Sequence, residues 1–334
     1  MTAANSPEPR FDIVGIGNAI VDVVAPTDDA FLDKNAMRKG SMSLIDAGLA
    51  EALYASMPAG QESSGGSAAN TCAVAAGLGA RVVYLGKVAE DGLGQAFARD
   101  IEAAGVLFPT ARLRDGAPTA RCLILVTPDS ERTMHTYLGA CVSFGEADVR
   151  TDLVADARVL YLEGYLFDPP AAQAAFRLAA QTAHRAGRQV ALSLSDPFCV
   201  DRHRAAFREL VRGHVDILFA NETELCSLYE EGDFDRAAEL ARGEVALAAL
   251  TRSEAGSRVL RGSETVVVPA EPVRVVDTTG AGDAYAAGFL AGLTAGRGLA
   301  TCGRMGSIAA AEIISHYGAR PQADLRALVA SLRD

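Results

Sequence analysis

The sequence has no excess of positive charge, because its 42 acidic residues outnumber its 31 lysines and arginines and leave a net charge of −11. A chain with a pI near 5.0 is not expected to bind nucleic acid or an anionic membrane surface. No run approaches 18 apolar residues, and residues 1–10 are polar, without the apolar segment of a secretion signal. We therefore expect a cytoplasmic protein with no membrane or nucleic-acid partner, which must hold any phosphate with local groups.

Sequence motifs for structural disulfides and for zinc are missing as well. The six cysteines are scattered without a C-x-x-C pair, and the five histidines show no H-E-x-x-H spacing. A chain of 334 residues is large enough to form a core without crosslinks. We therefore expect reduced thiols and no zinc site.

Two nucleotide-binding motifs are incomplete. The pair Gly15-x-Gly17 would need a third glycine at the position of Ile20, so the dinucleotide-binding motif G-x-G-x-x-G is not formed. Gly86-Lys87 is followed by Val88, where a Walker A motif requires serine or threonine. A dinucleotide oxidoreductase and a P-loop fold are therefore disfavoured.

The patterning that is present indicates an α/β protein. Hydrophobic residues make up 49% of the chain, enough for a large core, and the length favours one large domain with a smaller appended element. From residue 157 onward, short apolar runs alternate with helical stretches, which predicts a doubly wound, mostly parallel sheet with sites at the carboxyl ends of its strands. Residues 120–126 and 133–138 flank the turn Pro128-Asp129-Ser130 and predict a β-hairpin outside this pattern.

The most informative stretch runs from Val275 to Phe289 and is predicted to be a strand that breaks on glycines and continues as a helix. Gly280 and Gly282 allow a tight turn and a close approach of the backbone to a ligand, and the free amides of the first helical turn favour an anion. Asp283 lies in the same turn, where a carboxylate would repel phosphate unless it accepts a proton from the attacking group. We interpret it as a general base; the alternative is that it only complements the helix dipole.

Two further stretches place polar residues in apolar surroundings. Gly65-Gly66 precedes a helix of small residues that includes the polar Asn70, which indicates a ligand contact, although a plain loop would also contain such a pair. Asp22 lies among apolar neighbours, so its carboxylate is either hydrogen-bonded within the protein or reserved for the hydroxyls of a ligand. The residues alone leave both alternatives open.

Residues 277–289, DTTGAGDAYAAGF, and residues 65–105, which begin GGSAAN, resemble the two signatures of the ribokinase-like (PfkB) family of carbohydrate and nucleoside kinases. The likeness extends over nearly the whole chain. It implies an ATP-dependent kinase with an alcohol acceptor, built as a single ribokinase-like domain whose core spans about residues 9–18, 46–107 and 143–334. A small β-rich lid would span about residues 19–45 and 108–142.

Within that family, segments 17–34, 192–198 and 215–224 are most similar to the adenosine kinase branch. This resemblance implies transfer of the γ-phosphoryl group of ATP to the 5′-hydroxyl of a ribonucleoside, adenosine above all, in purine salvage. The alternatives are a sugar kinase for ribose or fructose and an inosine or guanosine kinase. Where those relatives carry two consecutive aromatic residues, this chain has Tyr165-Leu166 with Phe167 one place later, so base stacking is predicted to be weaker or differently placed.

The resemblance also implies which residues bind the acceptor and perform the chemistry. The ribose hydroxyls would be held by Asn18, Asp22, Gly66 and Asn70, and Ser67 would also bind the substrate. The purine would lie among Met42, Leu44, Cys122, Met134, Thr136, Leu138, Tyr165 and Leu166. Arg132 would reach over the transferring phosphate, and Asp283 would take the proton. The charge of the transferring group would be stabilised by the backbone of Gly280, Ala281 and Gly282 together with the amide of Asp283.

The same resemblance implies sites for ATP and a metal ion. ATP would be bound by Asn221, Glu224, Thr251, Ser253, Gly256, Thr279, Gly280 and Gly282. Asn221 and Glu224 match an N-x-x-E motif that is linked to Mg²⁺, which Glu224 would reach through water because Mg²⁺ keeps several waters. The alternative for this pair is an N-cap followed by a first-turn acid. The expected cofactors are ATP and Mg²⁺, the other partner is a small nucleoside or sugar, and dependence on a monovalent cation such as K⁺ is left open, as is the choice between monomer and homodimer.

Overall fold

The computed structural model describes residues 8–129 and 131–334. Residues 1–7 of the polar N-terminal stretch and Ser130 of the predicted turn lie outside the described residues. The strands are β1 (Phe11–Ile16), β2 (Ile20–Pro26), β3 (Met42–Leu44), β4 (Gln61–Gly65), β5 (Val82–Leu85), β6 (Val106–Leu107), β7 (Ala120–Val126), β8 (Arg132–Tyr137), β9 (Ala157–Glu163), β10 (Gln189–Ser193), β11 (Ile217–Asn221), β12 (Leu247–Thr251), β13 (Ser257–Arg261) and β14 (Glu264–Val268). The α-helices are α1 (Asp29–Lys34), α2 (Ala47–Ser56), α3 (Ser67–Gly77), α4 (Gly92–Ala103), α5 (Thr151–Ala155), α6 (Pro170–Arg185), α7 (Pro197–His214), α8 (Glu222–Tyr229), α9 (Phe234–Glu244), α10 (Ala281–Thr294), α11 (Leu299–Ile314) and α12 (Leu325–Val329). In this part of the chain, no helix is both long enough and apolar enough to cross a membrane.

A nine-stranded sheet in the order β14-β13-β12-β11-β10-β9-β1-β5-β6 forms the centre of the molecule. The seven strands from β12 to β6 in this order pair parallel, and β13 pairs antiparallel with both β12 and β14 at one edge. Because successive side chains alternate between faces, Ile13, Tyr84 and Tyr161 pack on the side of α3 and α10, while Val14 and Leu160 pack on the side of α6 and α7. The predicted doubly wound α/β fold is confirmed.

A second sheet of five strands, in the order β3-β8-β7-β2-β4, lies outside this pattern. The predicted hairpin is present, since β7 and β8 pair antiparallel from Arg121 opposite Tyr137 to Val126 opposite Arg132. Strand β4 falls within residues 46–107, the range assigned to the core from sequence, yet it pairs antiparallel with β2. The small sheet therefore takes in a segment that the sequence-based division left in the core.

The chain crosses between the two sheets where backbone segments touch. Gly66 has a φ of +94°, and a Cβ there would overlap the carbonyl oxygen of Asn18. Gly139 has a φ of +44°, and a Cβ there would overlap the carbonyl oxygen of Pro118. Both positions need glycine for its backbone conformation and for the space. The chain passes between the two sheets four times, after β1, β4, β6 and β8. These four connecting segments pack in two pairs, and one pair brings Asn18 to the start of α3.

The segment before α10 is the one place where a predicted strand is wrong. Residues 271–280 form an irregular loop rather than a strand, and Val275 is 56% exposed. The amide of Val276 donates to the carbonyl oxygen of Ile314 at the end of α11 over 2.8 Å, so the loop is fixed to a helix end instead of a neighbouring strand. The predicted helix follows as expected, and α10 begins at Ala281.

Close packing of α10 on α11 is expected to depend on Gly288, because a Cβ there would overlap the carbonyl oxygen of Met305. Gly288→Ala should lower the free energy of unfolding by about 1–3 kcal/mol, since neither helix backbone can yield freely. The matched control is Gly213→Ala in α7, where nothing lies within 4 Å of the added carbon and a gain of about 0.5–1 kcal/mol is expected. Urea denaturation of both variants tests this, and equal stability of Gly288→Ala and the wild type would contradict it.

Candidate active site

The first turn of α10 has the geometry of an anion site. Gly280 is the N-cap with a φ of +78°, and a Cβ there would lie 2.8 Å from the Cβ of Ala319. At Gly282 an added Cβ would meet nothing within 4 Å. The amide of Ala281 donates to the carbonyl oxygen of Thr278 over 3.2 Å, whereas the amides of Gly282 and Asp283 have no backbone acceptor among the described residues. Two of the three predicted amide donors are therefore free to bind an anion.

The carboxylate of Asp283 is held by the first turn of α3. Ser67 Oγ donates to its Oδ1 over 2.6 Å, and Asn70 Nδ2 donates to its Oδ2 over 3.1 Å. Burial raises the pKa of Asp283 above the usual range of an aspartate, while these two hydrogen bonds and the charge of Arg320 oppose the rise. The predicted base therefore lies where the N-termini of two helices meet.

Asp22 lies on β2 of the small sheet and faces the same region. Its carboxylate packs against Gly65, where a Cβ would overlap it. Burial raises the pKa of Asp22 to about 6; Arg320 and Arg132 lower it, and Asp283 raises it further. Among the described residues no side-chain hydrogen bond reaches this carboxylate, which favours the alternative that it is reserved for a ligand.

Glu163 is a buried carboxylate at the end of β9 that the sequence analysis did not select. It accepts hydrogen bonds from the backbone amide of Asn18 over 3.0 Å, from Asn18 Nδ2 over 2.9 Å and from the amide of Ala68 over 2.6 Å. Burial raises the pKa of Glu163 to about 7. These bonds fix Asn18 at the crossing between the sheets and leave its Oδ1 buried without a partner. An acidic residue ending a strand of buried apolar residues is the sequence signal that would have identified Glu163.

Arg132 at the start of β8 lies beside the loop that precedes α10. Its Nη1 lies 2.6 Å from Asp277 Oδ2 and 3.3 Å from Thr279 Oγ1, and its guanidinium stacks 5.1 Å from the ring centre of Tyr317. The Nε and Nη2 atoms of Arg132 are buried and have no hydrogen-bond partner in the described structure. Arg132 is thus anchored through one nitrogen, with donors left for an anion. Asp277 and Tyr317 were not selected from the sequence.

Five of the predicted ATP residues lie at or just after the carboxyl ends of two neighbouring strands: Asn221, Glu224, Thr251, Ser253 and Gly256. Asn221 ends β11 opposite Thr251 of β12, and the loop after β12 contains Ser253 at a φ of +50° and Gly256 at a φ of +80°. Asn221 and Glu224 form a capping box, with Asn221 Nδ2 donating to Glu224 Oε1 over 2.6 Å. The N-cap alternative therefore describes their geometry in this structure.

Glu224 is nevertheless a buried carboxylate within electrostatic reach of Asp283. Burial raises its pKa to about 7, and the charges of Asp196 and Asp283 add to the rise. Both of its carboxylate oxygens accept hydrogen bonds from Asn221, so each already has one partner within the protein. In the described residues no cluster of three or more acidic, histidine or cysteine side chains could hold a metal ion directly. This donor set fits a Mg²⁺ ion that keeps its waters.

The predicted purine residues on the small sheet come together in register. Met42 and Leu44 of β3 pair with Met134 and Thr136 of β8 and are 58% and 61% exposed. Thr136 in turn lies opposite Cys122 of β7, which lies opposite Asp22 of β2. Leu138 follows directly after β8. The sheet thus carries an apolar surface next to the Asp22 carboxylate.

The predicted contact of Leu166 with the purine is corrected by the structure. Leu166 is fully buried in the core, so its side chain offers no surface to a ligand. Phe167 is also fully buried and stacks on Phe207 with the ring centres 4.5 Å apart, which excludes it as a stacking partner for a base. Tyr165 is 41% exposed. Phe198, which is 72% exposed at the start of α7, is a second exposed aromatic that the sequence analysis missed.

Comparison with known proteins finds that the similar proteins are described as kinases. A sequence profile described as "pfkB family carbohydrate kinase" matches residues 13–325. The adenosine kinase of Saccharomyces cerevisiae is 29% identical over 329 residues, which cover 92% of this chain and 95% of that protein. The crystal structure of adenosine kinase from Sinorhizobium meliloti is 53% identical with a TM-score of 0.88, covering 96% of this chain and 99% of the other. A probable sugar kinase from Rhizobium etli is 48% identical with the same TM-score, covering 96% and 98%.

The family resemblance of residues 65–105 and 277–289 is therefore confirmed, and the fold is ribokinase-like. The profile spans most of the chain, including both sheets. The chain belongs to the pfkB family of carbohydrate kinases and is an ATP-dependent kinase with an alcohol acceptor.

Proposed function

We propose that this kinase transfers the γ-phosphoryl group of ATP to the 5′-hydroxyl of a ribonucleoside, adenosine in the first place. The observation that carries the proposal is the half-buried Asp283 carboxylate at the N-terminus of α10, next to free amides and facing Asp22. Two of the similar proteins are adenosine kinases. A cytoplasmic location and a role in purine salvage belong to the same proposal, and both a monomer and a homodimer are compatible with it.

The proton of the attacking hydroxyl is taken by Asp283. Burial raises the pKa of this carboxyl, which makes it a better proton acceptor than an exposed aspartate while it is ionised. Ser67 and Asn70 hold both carboxylate oxygens and thereby fix the direction from which the hydroxyl approaches. Positioning by these two side chains is the larger part of the task, since phosphoryl transfer needs little covalent help from the protein.

Charge that develops on the transferring group is stabilised from two sides. The free amides of Gly282 and Asp283 point from the start of α10, where the helix dipole adds to their effect. Arg132 approaches from the small sheet with Nε and Nη2 unpaired while Asp277 holds Nη1. The amides belong to the first turn of α10, so they need little reorganisation during the reaction.

Mg²⁺ would neutralise charge on the phosphates of ATP when bound. Asn221 and Glu224 would hold waters of its hydration shell, because each carboxylate oxygen of Glu224 keeps a lone pair beyond the one used by Asn221. We retain K⁺ as a candidate activator, and omitting each cation in turn from the assay tests both. ATP would lie along Thr251, Ser253, Gly256 and Thr279, next to the Gly280 turn.

The acceptor would lie between the two sheets. Asp22 would accept hydrogen bonds from the ribose hydroxyls, with Asn18 and Gly66 at the crossing beside it. The purine would rest on the small-sheet surface around Cys122, Met134 and Leu138, with Tyr165 as the remaining candidate for stacking. We propose that the small sheet acts as a lid and that the exposed Met42 and Leu44 close over the base, excluding water that would hydrolyse ATP.

A sugar kinase is the second candidate function. The 48% identical Rhizobium etli protein is described as a probable sugar kinase, and the burial of Leu166 and Phe167 leaves the base with fewer aromatic contacts than two consecutive exposed rings would provide. A screen of adenosine, inosine, guanosine, ribose and fructose with ATP and purified protein separates the candidates. Adenosine is expected to give the highest kcat/KM, and a sugar that outperforms every nucleoside would overturn the nucleoside proposal while leaving the kinase assignment intact.

Asp283→Asn is expected to lower kcat by about 10²–10⁴-fold, because the amide keeps the shape of the side chain but cannot accept the proton. Binding of the nucleoside should persist, measured by isothermal titration calorimetry. The control is Asp233→Asn at the N-cap of α9, where asparagine caps equally well and activity should not change. A wild-type kcat in Asp283→Asn would exclude it as the base.

Gly282→Val is expected to lower kcat by about 10²-fold or more, because its side chain would occupy the open space beside the free amides. The fold should persist, since nothing lies within 4 Å of the added Cβ. Gly92→Val, in the first turn of α4 with equally open surroundings, is the control for the cost of a branched residue in a helix. Should Gly282→Val match Gly92→Val in both melting temperature and kcat, the anion site lies elsewhere.

Asp22 is expected to decide between ribonucleosides and deoxyribonucleosides. Its carboxylate would lose a hydrogen bond to 2′-deoxyadenosine, so wild-type kcat/KM should favour adenosine by about 10- to 100-fold, and Asp22→Ala should remove the preference. Because the pKa of Asp22 is raised to about 6, KM for adenosine should increase as pH falls through 6 and the carboxylate becomes protonated. That increase should be missing in Asp22→Ala; an identical preference in both proteins would refute the assignment.

A further inference from the structure

The loop between α11 and α12 carries Arg320, a residue that the sequence analysis did not select. Its guanidinium reaches across the fold to two polar residues: Nη1 donates to Asn70 Oδ1 over 2.6 Å, and Nη2 donates to Ser64 Oγ over 2.8 Å and to the Ser64 carbonyl oxygen. Asn70 and Ser64 are 7% and 1% exposed, so these bonds lie in the interior. The rigid fork of an arginine suits two such acceptors at once.

The contact with Asn70 fixes the direction in which that amide points. Because Oδ1 accepts from Arg320, Nδ2 is the atom directed at Asp283 Oδ2, 3.1 Å away. Turning the amide over would set its NH₂ group against the guanidinium and its oxygen against the carboxylate, which opposes donor to donor and acceptor to acceptor. Arg320 therefore determines the orientation of a side chain that holds Asp283.

Arg320 also supplies positive charge to a group of carboxylates. Burial raises the pKa values of Asp22 and Asp283, and the Asp283 charge raises that of Asp22 further. The charge of Arg320 lowers both pKa values. The other titratable groups on which Asp283 acts are Glu163, Glu224, Tyr161 and Tyr165. Arg320 itself faces Asp22, Asp100, Asp283 and Cys72.

We infer that Arg320 is a positioning residue for phosphoryl transfer, which orients Asn70 toward Asp283 and adds a positive charge near that carboxylate. The inference rests on the proposed function, because it takes Asp283 as the base. Arg132 contacts the anion-site loop from the lid side, whereas Arg320 reaches the base through Asn70 from the C-terminal loop. The two arginines therefore act on different parts of the reaction.

The test is the pH profile of kcat at saturating acceptor for the wild type, Arg320→Gln and Arg320→Lys, because the acidic limb of kcat/KM would also report Asp22. In Arg320→Gln the acidic limb should move to higher pH by about one unit, because the base loses a nearby positive charge. Its plateau kcat should also fall about tenfold as the Asn70 amide loses its anchor. Arg320→Lys should keep the acidic limb in place and lower only the plateau, since lysine retains the charge without the fork.

The control is Arg326→Gln, in the same C-terminal segment, where the side chain donates to the Gly77 carbonyl oxygen near the surface over 3.3 Å. The acidic limb and the plateau kcat of Arg326→Gln should both match those of the wild type. A loss in Arg320→Gln that is uniform in pH, with an unmoved acidic limb, would show a merely structural role and overturn the inference. If circular dichroism shows that Arg320→Gln does not fold, Arg320→Lys decides: an acidic limb that moves upward, or an unchanged plateau, contradicts the inference.

The acceptor for these profiles is whichever compound gives the highest kcat/KM in the substrate screen. If that compound is a sugar, the nucleoside proposal fails while the role of Arg320 is still measured. If adenosine is phosphorylated and Arg320→Gln keeps the wild-type limb and plateau, the inference fails while the proposed function stands.

Discussion

The active site depends on one half-buried carboxylate at which two helices converge. Asp283 lies in the first turn of α10, and Ser67 and Asn70 from the first turn of α3 bond both of its oxygens. A negative charge at a helix N-terminus is favoured by the dipole, but burial raises the pKa and opposes the charge. The balance between these effects gives a carboxylate that is held in one orientation and is more basic than an exposed aspartate.

That convergence requires backbone contacts that only glycine permits. Gly66 lets the start of α3 pack on Asn18, and Gly288 lets α10 pack on α11. The close packing of α10 on α11 also returns the C-terminal loop to the site, since Gly280 lies against Ala319 and the next residue, Arg320, bonds Asn70. The packing that places the base therefore also places the charge that acts on it.

Features encoded in a few consecutive residues were predictable from the sequence. The β7–β8 hairpin and the start of α10 follow from alternation and from glycines, and both were found. The strand predicted at Val275 and Val276 failed because β-branched residues form a strand only where another strand can pair with them. Strand β4 reads QESSG, which has no apolar alternation, so its pairing with β2 could not be anticipated.

Residues that act across the chain were out of reach of sequence patterns. Asn18 and Glu163 are 145 positions apart, and Asn70 and Arg320 are 250 apart. A local spacing also cannot tell which of Tyr165, Leu166 and Phe167 faces solvent.

The most direct test of the account is a crystal structure with adenosine and a non-hydrolysable ATP analogue. We predict the 5′-oxygen about 2.6–3.2 Å from an Asp283 carboxylate oxygen; a 5′-hydroxyl bound beyond hydrogen-bond reach of Asp283 would contradict it.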